Sequence, residues 1–544
     1  MEGMRDLRGS EECSRSLPET DAKPSMVQGR QGYFLSNSGD SGMKIEKLWG
    51  GRFEELPSKE MIDFLSGRDV RGIPPCDVKL IPYDLWGNRA HVLMLCKEGI
   101  LSKQDGRKIL KGLRALEALY RKGKFVLDGS MEDVHSNIES FLIERLGIEY
   151  GGKVHTGRSR NDQIVLDMRL YLRDQGLEFV EGLVRLMESL LQRAKEHRST
   201  IMPGYTHHQH AVATTFGHLL LSFAEALQRD VQRFVHWFDL FNKNPLGAAA
   251  GYGTSFNLNR ELTSKLLGFD GPTENVTDPI TQRWEPELEL AYAAAVMMDH
   301  LSTMAQTLIL LSTREFSMVR LNDRHCTGSS IMPQKRNPCS LEVVKAKASF
   351  AQGVVVSLLS AGKALFMGYN RDTQWTKYWV MDLVEESKPA LFVMTDVIRL
   401  LRVNQAQMLE QAQEEFSGAT PLMEWLVSHR SLPLRKAKII MEKAVKYSER
   451  EGKGKVSYQS LKKALDEMKI NIKITEKDVE SIQRAERILV QTLSFGTPSE
   501  KRVEENISSL GGRMQVSRDW LILERSEIEK AKGLVSRMEK ELGK

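Results

Sequence analysis

Cysteine is scarce in this 544-residue chain and follows no pattern. The five residues, Cys13, Cys76, Cys96, Cys326 and Cys339, are odd in number and lack CxxC spacing. That argues against a disulfide framework or a structural zinc, and for a reducing compartment. Charge of one sign is missing too. Against 77 Lys and Arg stand 72 Asp and Glu, a net charge of +5, with no dense basic run. Nucleic acid and membrane surfaces are therefore not expected partners. No apolar run reaches the ~18 residues that a membrane span needs. The start, MEGMRDLRGSEECSRS, is too polar for a secretory signal, so the expected location is the cytoplasm.

What remains is an ordinary globular composition, 41% hydrophobic and 27% charged. The length calls for about two to four domains. Residues 1–43 are rich in Gly, Ser, Glu and Asp and have little to bury, so they read as a flexible extension. Recognisable sequence begins directly after Met43, which could itself be the true start. The rest divides into an N-terminal helical domain at 44–155, a central long-helix bundle at 156–405 and a C-terminal helical domain at 406–544.

The chain reads as helices. Long amphipathic stretches cover 216–241 and 287–316. In a third, Leu341, Val344, Ala348, Ala351, Val355 and Leu358 recur at spacings of three and four, one face of a helix. Rods of this length pack side by side in bundles. Strand patterning is scarce, with a short candidate near 467–474. Gly- and Pro-rich joints lie at 202–205, 243–256, 271–286 and 326–339, where polar groups from different helices can meet.

The most informative joint is TGSSIMPQKRNP at 327–338. Gly328, Ser329 and Ser330 make the backbone compliant. Asn337 and Pro338 read as an N-cap and a first-turn proline. The loop then meets the positive end of a helix, to which Lys335 adds a full charge, a good place for a carboxylate. A plain Gly/Ser connection that caps a helix is the alternative.

This string resembles the signature loop of the fumarase/aspartase/argininosuccinate lyase superfamily, G-S-S-x-M-P-x-K-x-N-P, with every specified residue present. The resemblance implies an all-α, three-domain lyase whose central helices assemble with other subunits into a multi-helix core. It implies homotetramers with sites built from three subunits, and anti elimination that releases fumarate. Such chemistry builds an aci-carboxylate dianion, which needs fixed positive charge and N–H donors. Lys335 and Asn337 suit that need. By resemblance Ser329 abstracts the proton, and a serine must be activated to do so.

MPGYTHHQH at 202–210 supplies an acid/base partner. Three histidines in four residues raise the thought of a metal, but no ligand set accompanies them; neither a metal nor another cofactor is expected. By resemblance His207 is the family histidine, and Glu342 sits where its carboxylate partner would be. His208 and His210 depart from the usual leucine and arginine.

Three further features resemble the argininosuccinate lyase subfamily: KLWGGRF at 47–53, HTGRSRNDQ at 155–163, and Gln334. Its substrate, argininosuccinate, carries three carboxylates, an amine and a guanidinium. Arg160 offers a carboxylate fork, and Asn161 and Thr206 offer neutral donors, although 155–163 could equally be a solvated polar turn. YNRDTQWTK at 369–377 keeps the family spacing, which places Tyr369, Gln374 and Lys377 at the substrate's amino-acid end; Trp375 and Thr376 replace an acidic pair. SMEDVH at 130–135 makes His135 a further lining residue. Ser66 stands for a substrate-facing serine, while Asp69 and Asp77 compete for an aspartate. The D-R-D-F element becomes TQRWE at 281–285, with Arg283 in the arginine's role. The expected activity is elimination of argininosuccinate to arginine and fumarate. The alternatives are a sister lyase acting on a substrate such as adenylosuccinate, and a non-catalytic crystallin-like relative.

Overall fold

The computed structural model describes Glu55, Ser58, Met61, Phe64 and residues 76–544. These belong to one unit, Trp49–Lys544. The extension at 1–43, the KLWGGRF segment, Ser66 and Asp69 lie outside the described residues.

Three helices come first: α1 (Ile81–Lys97), α2 (Lys103–Arg121) and α3 (Val134–Leu146). Ser102 caps α2 by accepting from the Asp105 amide, and Asp133 caps α3 by accepting from Ser136. Five rods follow. They are α4 (Arg160–Glu196), α5 (Phe216–Phe241), α7 (Trp284–Ser312), α8 (Cys339–Gly362) and α9 (Thr376–Leu400), with the short α6 (Arg260–Leu267) after α5. At the usual rise, the 37 residues of α4 span about 55 Å. α7 packs chiefly on α8, and α4 on α5 and α9.

The chain then forms α10 (Gln405–Ala412), α11 (Ala419–Arg430), α12 (Leu434–Arg450), α13 (Tyr458–Glu467), α14 (Glu476–Ile482) and α15 (Ala485–Gln491). α11 to α14 enclose a separate core around Leu422, Ile440, Leu461 and Val479. The last helix, α16 (Glu500–Gly543), runs 44 residues back along α4 and α5, and its Val503, Leu510 and Leu521 join the main core. The all-α expectation holds, as does the helix at 216–241.

Four expectations need correction. Residues 467–474 form no strand; Glu467 ends α13, and a turn at 468–469 leads into irregular chain. The strands lie elsewhere. β1 (Ile201–Thr206) pairs antiparallel with β2 (Gln209–Thr215), and β3 (Val319–Arg320) with β4 (Arg402–Val403). Pro338 rather than Asn337 is the N-cap of α8, because the Asn337 side chain turns back to donate to the Gly328 carbonyl at 3.3 Å. The 155–163 segment is no solvated turn: Arg158 and Asp162 are buried. Finally, α7 and α8 are long and apolar enough to cross a membrane by length and composition, each with mean hydropathy 1.3. A few polar residues had interrupted the apolar runs without lowering their average. Core helices of soluble proteins meet the same measure.

Candidate active site

Four separate segments converge on one cavity of about 220 Å³. The start of α3 brings His135, the start of α4 brings Arg160 and Asn161, and the N-cap of α7 is Arg283. The turn into α9 brings Tyr369, Gln374 and Lys377. Seven residues singled out from sequence therefore share one wall. Glu132, Asp133, Ile164 and Arg371 also line it.

The cavity is built for anions at its floor. Arg283 is only 4% exposed, and its Nε and Nη2 have no hydrogen-bond partner among the described residues. Unmet donors on a buried guanidinium are costly unless a ligand meets them, and a carboxylate matches their fork. Beside it, buried Lys377 pairs with Asp77 at 2.5 Å. Asp77 also accepts from the Val134 amide at 3.1 Å, which ties the start of α3 to this floor. Of the two competing aspartates, the described one thus lies under the cavity. Tyr369 donates to Gln374 at 3.3 Å. At the mouth Arg160 contacts Asp133 at 3.1 Å and Glu132 at 3.3 Å. Asn161 donates to the Ala250 carbonyl at 3.4 Å.

Glu287, one turn along α7 from Arg283, is buried behind it. Burial pushes its carboxyl up to about 7, against the opposing pull of Arg283, Thr376 and Lys377. A carboxyl with a raised folded pKa keeps its proton after the unfolded chain has lost it. Its stabilising contribution is complete below pH 4.5 and lost as pH rises to about 7. The difference amounts to about 3 kcal/mol. Thermal midpoints of the native chain, relative to Glu287→Gln, should therefore fall between pH 4.5 and 7 and level off above. A flat difference would mean that Glu287 is ionised throughout.

Ser329, Lys335, Asn337, Thr206 and His207 do not line this cavity. The 327–338 loop is closed at its base by reciprocal amide bonds between Thr327 and Asn337, at 3.0 and 2.8 Å. Inside it the Ser329 Oγ accepts from the Ile331 amide at 3.3 Å and the Met332 amide at 3.0 Å. Two N–H dipoles on one hydroxyl oxygen favour negative charge there. Lys335 is exposed on the same loop, and Glu342 is exposed in the first turn of α8.

His207 and His208 form the two-residue turn between β1 and β2, with Thr206 opposite Gln209. Both have positive φ, 54° and 61°. That suits a hairpin turn but is unusual for residues other than Gly or Asn. The turn holds His207 exposed at the hairpin tip. Among the described residues, no hydrogen bond or ion pair joins His207 to Glu342 in one chain. His210 sits back along β2, with Nε2 3.4 Å from the Tyr205 hydroxyl.

Sequence reasoning missed a second layer beneath the cavity. Asp84 and Asn88 on α1, Arg158, and Asp167 on α4 are all buried there. The i, i+4 spacing of Asp84 and Asn88 within an apolar helix was the signal available.

This fold and this loop are those of a lyase. Residues 78–353 match the family model described as lyase. Within that class, the chain belongs to the argininosuccinate lyase family. It is 38% identical to the argininosuccinate lyase of Carboxydothermus hydrogenoformans, over 85% of this chain and 98% of that protein. It is 40% identical to that of Hahella chejuensis, over 74% and 84%. Among solved structures it resembles an EDDS lyase in complex with formate, with TM-score 0.81 and 29% identity over 90% of this chain and 96% of that one.

Proposed function

We propose that this chain eliminates fumarate from argininosuccinate and leaves arginine, the last step of arginine biosynthesis. The observation that carries the reaction is the Ser329 hydroxyl held by two amides within the 327–338 loop that leads into α8. Ser329 takes the proton next to a succinyl carboxylate. The electron pair moves into that carboxylate, which becomes an aci-carboxylate dianion. Lys335, Asn337 and the N-terminal end of α8 offset the added charge. The C–N bond then breaks, and fumarate and the guanidino group separate. His207, with Glu342 behind it, is the acid/base partner that handles the proton on the leaving nitrogen.

The amino-acid end of the substrate occupies the cavity. Arg283 and Lys377 take its carboxylate, while Arg160, Asn161, Tyr369, Gln374 and His135 shape the rest. Ser66, Thr206 and Asn337 complete the binding set.

One chain separates this cavity, the Ser329 loop and the His207 tip, so the site is completed by further copies in a homotetramer. The outer face of α8 supports this. Phe350, Val356 and Leu359 are exposed, and only 28% of its most apolar window is buried within the chain. Apolar side chains left exposed on a helix this little buried suit a subunit interface. The tetramer is placed in the cytoplasm.

Incubation of the purified full chain with argininosuccinate should make fumarate absorbance grow, and light scattering on the same sample should give four chains. Turnover of adenylosuccinate alone would overturn the substrate. Inertness towards both would favour a structural relative.

A further inference from the structure

The buried layer beneath the cavity has a definite order. Arg158 Nη2 donates to Asn88 Oδ1 at 2.6 Å. Asn88 Nδ2 donates to Asp84 Oδ2 at 2.7 Å. The other Asp84 oxygen lies 2.9 Å from His135 Nδ1. Asp167 Oδ2 stands 3.7 Å from the same nitrogen. The three groups Asp84, His135 and Asp167 lie within 4.8 Å of one another and are almost wholly inaccessible. His135 Nε2, on the far side of the ring, has no hydrogen-bond partner among the described residues, and His135 lines the cavity.

Two carboxyls this close in a dry site cannot both ionise cheaply. Asp84 is the one equipped to carry the charge, since Asn88 and His135 donate to it and Arg158 stands behind. Asp167 has no such set. Burial, then the charge of Asp84, drive it well above the ordinary value, and Asp77 adds to this while Arg158 opposes it.

We propose that Asp84 and Asp167 share one proton, carried by Asp167, and that the pair fixes His135 with its proton on Nδ1. Nε2 then presents a lone pair to the α-ammonium group at the amino-acid end of the substrate. The cavity already holds cations for the carboxylate, and this nitrogen supplies an acceptor for the amine. Asp84 and Asp167 are positioning residues, since neither lines the cavity. The role of Nε2 rests on the argininosuccinate reading; the shared proton does not.

The test compares Asp167→Asn with Asp84→Asn. Asparagine imitates a protonated Asp167, so KM for argininosuccinate should stay within about threefold. Asp84→Asn removes the charge and leaves one acceptor oxygen for two donors, Asn88 and His135, so the ring loses its fixed orientation and KM should rise at least about tenfold while kcat changes little, the pattern of lost ground-state binding. The infrared difference spectrum between the native chain and Asp167→Asn should contain the carbonyl stretch of a protonated carboxylic acid, while the Glu287 band common to both cancels. Its absence from the difference would overturn the shared proton, as would equal damage from the two substitutions. One bound metal equivalent per chain in elemental analysis would also overturn it and make the trio a metal site. Should Asp84→Asn fail to fold, the infrared comparison still decides. Should the native chain not act on argininosuccinate, the role of Nε2 falls, and the infrared comparison still settles the proton.

Discussion

Ser329→Ala is expected to lower kcat for argininosuccinate by about a thousandfold or more, with the proposed tetramer intact. Removing a positioned proton-transfer group typically costs about 10²–10⁴ in rate. Here the oxygen that would be removed is also the one that receives the Ile331 and Met332 amides. Those bonds alone would be compatible with a plain serine turn, and their loss would cost about 1 kcal/mol of local stability. The loop has other anchors. Thr327 and Asn337 exchange amide bonds, Asn337 donates to Gly328, and Ser340 donates to the His325 carbonyl at 2.8 Å. The two readings therefore predict different outcomes. A turn serine gives a slightly softer loop and near-normal turnover. A base gives an inert enzyme that melts within a degree or two of the native one. Residual activity above about a tenth would remove Ser329 from its proposed role.

The site was legible in the sequence wherever a function needs several unusual residues in a row. The segments at 155–163, 281–285 and 369–377 each carry such a string, and the fold brings three of their side chains, Arg160, Arg283 and Lys377, to one cavity. The layer underneath was not legible. Asp84, His135 and Asp167 come from three helices, and no spacing along the sequence links one to another. Only packing makes them a group. The β1–β2 hairpin was missed for a local reason. Its turn is made by His207 and His208, where a hairpin rule looks for Gly or Asn. The pattern at 467–474 misled in the opposite sense, since alternation without a neighbouring strand leaves backbone groups unpaired and builds no sheet. In α8 the spacing of three and four identified an inward face whose Leu341, Val344, Ala348, Ala351 and Leu358 are buried, while Val355 is half-buried and its neighbour Val354 turns into the core. The outer apolar face was averaged into the same stretch, and its meaning emerges only when it is found exposed.

Asp162→Ala is expected to destabilise the fold by about 2–5 kcal/mol, because it strands two buried amides at about 1–3 kcal/mol each and a third that is half-buried, with partial relaxation. Oδ1 accepts from Ser159 at 3.0 Å, and Oδ2 accepts from Gly247 at 3.1 Å and Ala249 at 2.9 Å. The first bond completes the capping box of α4. The other two hold a loop that could not easily hold itself, since Ala249 has φ 51° and Gly247 φ 97°. Burial raises the Asp162 carboxyl to about 6, while these amides and Arg158 limit the rise, so the charged form is retained at neutral pH. Asp162→Asn keeps the shape and one acceptor oxygen, so its loss should be less than half as large. The effect should reach the cavity, because the freed loop includes Ala250, whose carbonyl accepts from Asn161. The alanine variant should therefore show a raised KM as well as a lower urea midpoint, with new proteolytic cleavage within 247–256. A stability loss under about 1 kcal/mol, with the loop still resistant to protease, would show that Arg260, which donates to the Leu246 and Thr273 carbonyls, holds this joint without Asp162.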